Sequence, residues 1–577
     1  MRLRRAGSIL SLSIVSALAA TLLCAPSPAS AGAGNAAGIA GHRSLQAYAD
    51  AMQPGWNLGN TFDATGADET SWGNPRVTQE LLRQIRAQGY RSLRLPVTWG
   101  QRMGAAPDYT IDPAFLARVE EVVDWALDAG LYVMLNMHHD TGEWIRRMGT
   151  EHDAVLARYR AAWTQIAAHF SGKSHRLSFE AVNEPRFSDD WNLDTPEFFT
   201  MLGELNRAFH GIVRSSGGRN ADRPVVLTTL TGSSAQPRMD HLYEQITALD
   251  DDRIIATIHY YGYYPFSVNV AGGTRFDAAA QADLVSAFDR ARATFEARGI
   301  PVIVGEYGLL GFDKHTGTIE QGEKLKFFEF FTYYARTTGL TTMLWDNGQH
   351  FDRVAHQWRD ADLYQVMRAG WRRGRSSTAE SDLLFVRRGQ PAADRTVTLQ
   401  LNGNRLVALT AGDRRLRPGR DYVLSGDQLT LRARLLASLT ASGAYGVNAV
   451  LTARFSHGIA WTFNVITYDR PALSDATGTT AAFAVPTAFN GDRLATMRAT
   501  YPDGTNAGPA GWTAFKEFGQ SFAPSPETNA IRLLPAFFAE VTDGATVNLE
   551  FHFWSGEVVR YAVTRTGTQV TGVAVPA

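Results

Sequence analysis

The sequence predicts an α/β fold: a (β/α)8 TIM barrel followed by two all-β sandwich modules. Three observations carry this. Between residues 44 and 371, eight short apolar runs alternate with helical patterns, as in a parallel sheet built from βα units. The runs are continuously apolar, which suits barrel strands buried on both faces. After "WRRGRSSTAESD" (371–382), helical periodicity nearly vanishes and two-residue alternation takes over. An open doubly wound sheet is the alternative for the first region, but no Gly-rich phosphate loop follows its first strand.

The N-terminus reads as a secretory signal over residues 1–31. Arg2, Arg4 and Arg5 form a basic segment, an apolar stretch runs from Ile9 to Leu23, and Ala29-Ser30-Ala31 offers a cleavage site. Arg4-Arg5 leaves twin-arginine export open. A secreted, extracellular protein with no membrane association after signal removal is expected. Cys24, the only cysteine, lies inside the signal. The mature chain would therefore hold no disulfide, thiolate metal site or cysteine nucleophile. Residues 32–43 read as a flexible lead-in.

The strand candidates of the barrel (44–371) are "GWNLGN" (55–60), "SLRLPV" (92–97), "YVMLNMHH" (132–139), "LSFEAVNE" (177–184), "VVLTTL" (225–230), "IIATIHYY" (254–261), "VIVGEYG" (302–308) and "TTMLWDNG" (341–348). Helical stretches between them, such as "TQELLRQIRAQG" and "GEKLKFFEFFTYYARTTG", end in glycine, a usual helix stop. Residues 372–381 read as a polar linker. Residues 382–469 predict a small immunoglobulin-like β-sandwich, with hairpins at Asn402-Gly403 and Ser425-Gly426-Asp427. Residues 470–577 carry a further β-sandwich pattern, with a hairpin turning at Trp554-Ser555-Gly556.

Lys and Arg number 56 against 57 Asp and Glu, for a net charge of −1, so nothing points to nucleic acid. A monomer is expected. In a barrel, polar residues at the C-terminal strand ends build the site. Here they are Asn57, Asn60, Arg94, His138, His139, Asn183, Glu184, His259, Tyr261, Glu306 and Trp345. Glu184 and Glu306 read as the only strand-end glutamates, from the fourth and seventh strands. Two carboxylates across a pocket suit glycosidic bond cleavage: ~5–5.5 Å apart for retention, ~6.5–9.5 Å for inversion. The chain spacing does not choose between them. Arg94 and Tyr261 could hydrogen-bond Glu306 and keep it ionised, as a nucleophile requires. Glu184, with fewer cations near it, is left as acid and then base. Asn183 could donate to a sugar 2-hydroxyl, and Trp345 could stack on a sugar ring.

"GWNLGNTFDA", "RLPVTW", "NMHHD", "AVNEP", "IHYYGYYPF", "VGEYG" and "MLWDNG" together resemble glycoside hydrolase family 5 over residues 44–371. The resemblance implies a retaining endo-β-1,4-glucanase of the cellulase and xyloglucanase subgroup. It implies Glu184 as acid/base and Glu306 as nucleophile, with Arg94, His138, Asn183, His259, Tyr261 and Trp345 at other active-site positions. Its substrate would be a β-glucan of cellulose type, mixed-linkage glucan or xyloglucan, with no cofactor. Residues 382–469 resemble an immunoglobulin-like module found behind such domains. Residues 470–577 are similar to carbohydrate-binding module family 46, which is expected to lean on the barrel. Asn57, Trp72, His139, Trp345, Trp512 and Trp554 are the candidate substrate contacts. Trp72 reads equally as loop core, His139 as a packed histidine, and Trp461 as sandwich core. The alternatives are a xyloglucan- or mannan-specific hydrolase of the same fold, a non-catalytic glycan-binding protein, and a metal-dependent hydrolase using His138, His139, Asp140 and His259. Against the last, no carboxylate adjoins His259 in the chain.

Overall fold

The structure, a computed structural model, describes residues 45–315, 317–372 and 374–576. The signal, the lead-in and Cys24 lie outside the described residues. Eight parallel strands close into a barrel in sequence order: β1 (Gly55–Asn57), β2 (Ser92–Leu95), β3 (Tyr132–Asn136), β4 (Leu177–Glu180), β5 (Val225–Thr228), β6 (Ile254–Tyr260), β7 (Val302–Tyr307) and β8 (Thr341–Leu344). β1 pairs with both β2 and β8, which closes the ring. Met134, Val226, Ile255, Ile303 and Met343 fill part of the interior, and Leu45 and Met52 plug one end with them. This is the packed interior such barrels require.

The helices end where local chemistry dictates. Thr78 caps the helix Gln79–Ala87 by accepting from the Leu81 amide, and Gly339 ends the helix Gln321–Thr338 in the left-handed region. The strands are shorter than the apolar runs suggest, always at the C-terminal end. β4 stops at Glu180 rather than at Glu184. Past that point the chain leaves the ladder, and its polar residues sit on loops over the barrel mouth.

The middle module packs a four-stranded sheet (Thr378–Ala379, Arg395–Gln400, Gln428–Leu431, Tyr422–Ser425) against a five-stranded one (Leu383–Arg387, Trp461–Tyr468, Gly446–Phe455, Leu406–Ala411, Arg414–Arg415). Trp461 is buried in its core. Two expectations are corrected. The segment read as a linker contributes the strand Thr378–Ala379, and Ser376 and Ser377 are buried. Polarity alone misled there, because Ser377 and Asn404 hydrogen-bond inward. Asn402-Gly403 does turn the chain, with φ of 53° and 83°, but the strands it joins belong to opposite sheets. Turn chemistry fixes the local bend, not the partner. At Gly426 and at Trp554-Ser555-Gly556 the flanking strands do pair as antiparallel neighbours.

The last module has its own core around Phe483, Phe522, Phe537 and Phe551. It leans on the barrel loop after β6. The Phe518 amide donates to Asn269 O at 3.1 Å, Ala271 N donates to Phe515 O at 3.2 Å, and Asn269 Nδ2 donates to Ala495 O at 2.9 Å. No described helix is long and apolar enough to cross a membrane.

Candidate active site

Arg94 organises the barrel mouth. It is fully buried on β2, and all five of its N–H donors are used. Nε and Nη2 grip Glu180 at 2.8 and 3.2 Å, Nη2 also reaches Asn183 Oδ1 at 2.8 Å, and Nη1 reaches Asn57 Oδ1 at 3.1 Å and Glu306 Oε1 at 2.5 Å. One guanidinium thus serves two carboxylates and two amides from β1, from β4 and the loop after it, and from β7.

Glu306, near the end of β7, is 5% exposed. The Tyr261 hydroxyl donates to its Oε2 at 2.6 Å. Burial alone would push the Glu306 carboxyl up. The charges of His259 and Arg94, with hydrogen bonds from Tyr261 and Arg94, outweigh burial and hold it below the usual carboxylate range.

Glu184 sits four residues beyond β4 with φ of 37°, a left-handed backbone that a non-glycine residue seldom adopts. Its neighbours hold it there: Asn183 N donates to Met137 O at 2.8 Å, and Thr231 N donates to Pro185 O at 2.8 Å. Glu184 Oε1 lies 2.8 Å from His259 Nδ1. One oxygen of Glu184 and one of Glu306 lie within 4.8 Å of each other. His259 Nδ1 stands 3.7 Å from Glu306 as well. Burial disfavours the His259 imidazolium, but the charges of Glu306 and Glu184 prevail and raise its pKa.

His138 is held neutral, mainly by burial. Asn136 Nδ2 donates to its Nδ1 at 3.0 Å, leaving the ring proton on Nε2, 3.8 Å from Glu306. Its ring lies parallel to Trp345, 5° between planes and 5.7 Å between centroids. A side chain at Gly59 would meet the Trp345 ring at 2.9 Å, which accounts for glycine in "GWNLGN".

The structure thus brings together Arg94, His138, Asn183, Glu184, His259, Tyr261, Glu306 and Trp345. Asn57 has a different role from the substrate contact expected of it. It is wholly buried, donates to Gly305 O at 2.9 Å and accepts from Arg94, so both ends of its amide brace the wall. His139 packs 5.2 Å from Trp72 and 3.4 Å from Asp63 Oδ2. Trp72 is 40% exposed and lines a cavity of about 570 Å³ with Asn60, Asn74 and Arg353. Asp140 and Asp346 hold loops, accepting from Trp99 N and Gly100 N, and from Trp56 Nε1 and Phe351 N. Trp512 is 63% exposed on the last module. Trp554 lies under the Arg275 guanidinium, 5.0 Å from its ring centre, and lines a crevice of about 500 Å³ where the last module meets the barrel.

Sequence reasoning missed Glu180, a third strand-end glutamate, and Asn136. Their signal was alternation: Ser178 and Glu180 share one face of β4, and a charged residue inside an apolar run demands a partner. It also missed that the fold brings two carboxylates to His259. Among the described residues, two groups of side chains have metal-ligand chemistry, Asp63 with His138 and His139, and Glu184 with His259 and Glu306. Neither fits a cation well. The Asp63 oxygens accept from the Asn60 and Thr61 amides, and His138 Nδ1 accepts from Asn136. Glu306 Oε1 is already engaged by the Arg94 guanidinium at 2.5 Å, and its Oε2 by the Tyr261 hydroxyl at 2.6 Å.

Residues 57–351 match the cellulase family, glycosyl hydrolase family 5. The chain belongs to glycosyl hydrolase family 5. This family 5 protein is a glycoside hydrolase of cellulase type with two further modules. Residues 378–465 match carbohydrate binding domain X2, and residues 469–573 match the carbohydrate-binding domain family 46. The family 5 chain is 54% identical over 576 residues to endoglucanase B of Paenibacillus lautus, covering 100% of both chains. Its fold matches the full-length tri-modular endo-β-1,4-glucanase B of Bacillus halodurans with a TM-score of 0.90 and 52% identity, over 92% of this chain and 99% of that one. A tri-modular subfamily 4 endo-β-1,4-glucanase from Bacillus licheniformis matches with a TM-score of 0.76 and 32% identity, over 92% and 100%.

Proposed function

We propose that this hydrolase is a secreted, monomeric, retaining endo-β-1,4-glucanase. It cuts internal bonds of cellulose-type glucan, mixed-linkage glucan and xyloglucan. The observation that carries the mechanism is the approach of Glu184 and Glu306 to within 4.8 Å. So close an approach of carboxylate oxygens favours the narrow spacing of a retaining pair, whose carboxyl groups stand ~5–5.5 Å apart, over the wider ~6.5–9.5 Å that leaves room for a water.

Glu306 is the nucleophile. Its oxygen bonds to the anomeric carbon while the glycosidic oxygen leaves and takes a proton from Glu184. Glu184, now ionised, removes a proton from water. The water oxygen bonds to the anomeric carbon, and the bond to Glu306 breaks. Arg94 and Tyr261 keep Glu306 charged and aimed. Arg94 occupies the Asn183 oxygen, which leaves its Nδ2 as donor to a sugar hydroxyl. Trp345 offers a ring face to the sugar bound at the carboxylates, and Trp72 and Trp512 offer faces further out along the polymer. The substrate class is supported by the endo-β-1,4-glucanases of the same three-module build, one of them described in complex with cellotetraose.

The test is proton NMR of a cello-oligosaccharide digest in its first minutes. The β-anomer is expected first. An initial α-anomer would make the mechanism inverting. Reducing-end release from carboxymethylcellulose, xyloglucan and glucomannan ranks the substrates, with Glu306→Ala as the inactive control.

A further inference from the structure

Glu180 has no part in the two-carboxylate mechanism, yet it is buried to 0% exposure beside it. An isolated ionised carboxylate at such depth is strongly unfavourable, so its partners define what it is for. Its Oε2 accepts from Arg94 Nε at 2.8 Å and from Asn136 Nδ2 at 2.9 Å, while Oε1 accepts from Arg94 Nη2 at 3.2 Å. The bidentate grip fixes the plane of the guanidinium. With Nε and Nη2 held, both N–H directions of Nη1 are set: one meets Asn57 Oδ1 at 3.1 Å and the other Glu306 Oε1 at 2.5 Å. Through Asn136, Glu180 also fixes the tautomer of His138, whose Nε2 faces Glu306.

Charge is the second part. Arg94 carries one positive charge shared between two carboxylates. Were Glu180 neutral, that charge would act on Glu306 alone. The nucleophile would stay ionised but become a weaker base and a poorer attacking group.

We propose that Glu180 is a positioning residue for the hydrolytic reaction: it aims Arg94 and shares its charge, keeping Glu306 oriented and nucleophilic. This rests on the retaining reading above. The charged and titratable groups facing Glu306 are Arg94 from β2, His138 beyond β3, Glu184 beyond β4, and His259 and Tyr261 from β6 and its loop. Glu180 faces Arg94 alone among the described charged groups.

The experiment uses the full chain and 2-deoxy-2-fluoro-β-cellobiosyl fluoride. Attack by Glu306 forms a bond to the anomeric carbon and expels fluoride, a leaving group that needs no proton from Glu184. Intact mass reports the adduct, and its rate per folded molecule reports the nucleophile. Glu180→Gln is expected to label about 10²-fold more slowly, the scale for a misplaced reacting group. The acid limb of its rate–pH profile should move to lower pH, because loss of a nearby negative charge favours the ionised Glu306. A purely structural residue would lower the melting temperature and leave both readouts in place, and that result would overturn the proposal. Should Glu180→Gln not fold, Glu180→Asp keeps the charge and shortens the reach. Slow labelling with an unshifted limb is then expected, and wild-type labelling would refute the idea. Failure of the wild type itself to label would instead remove the retaining mechanism, and this proposal with it.

Discussion

Replacing Tyr261 with Phe removes one atom from the site, the hydroxyl that donates to Glu306 Oε2 at 2.6 Å. A hydrogen bond to a buried charged acceptor contributes about 1.5–3 kcal/mol. It favours the ionised form of Glu306, so losing it raises the carboxyl pKa. At about 1.4 kcal/mol per pH unit, the rise is roughly 1–2 units. Hydrolysis needs Glu306 ionised. The acid limb of the kcat/KM profile should therefore move up by that amount in Tyr261→Phe, while the alkaline limb stays in place. In the wild type, where Arg94 and His259 also favour the carboxylate, the limb should lie below the ordinary glutamate value of about 4.3. The assay is initial-rate hydrolysis of an aryl cellobioside from pH 3 to 9, with folding checked at each end. Tyr261→Phe should move the limb up and Glu180→Gln should move it down. An unmoved limb in Tyr261→Phe would refute the claim that this hydroxyl sets the charge state of the nucleophile.

Glu184→Ala should lose several orders of magnitude on polysaccharide but far less on an aryl glycoside with an acidic leaving group, where proton donation matters least. Equal losses on both would remove Glu184 as the acid. Truncation after residue 371 deletes Arg375, which donates to Glu329 at 2.9 and 2.7 Å. Leaving the 4%-exposed Glu329 unpaired should cost about 3 kcal/mol, or several degrees of Tm. Truncation after residue 469 spares that pair and the core shared by barrel and middle module, so its Tm should stay near that of the full chain. Identical melting of the two truncations by calorimetry would show that the middle module does not support the barrel. Trp512→Ala should weaken action on insoluble or branched glucan and leave short oligosaccharide hydrolysis unchanged; equal loss on both would show that Trp512 acts through the fold rather than on the polymer.

The sequence alone determined the barrel and the chemical inventory of its mouth. Eight apolar runs separated by amphipathic helices admit few arrangements, because each run must bury both faces. The residues that follow them had to converge, since all the C-terminal strand ends share one rim. Where each strand stops was not legible, because apolar character continues past the last ladder hydrogen bond, as in "AVNE" after Glu180. The pairing of Asn402-Gly403 was not legible either, since a turn sets direction while sheet membership depends on distant strands. Nor was the division of labour around Arg94. Residues 57, 94, 180, 183 and 306 meet there with every guanidinium donor occupied. The chain could name Glu184 and Glu306 as carboxylates at a barrel mouth. Only the closed barrel set them within 4.8 Å, placed His259 between them, and turned Asn57 from a sugar contact into a brace. Charge state and distance depend on burial and on partners far apart in the chain, and those exist only once the barrel is shut.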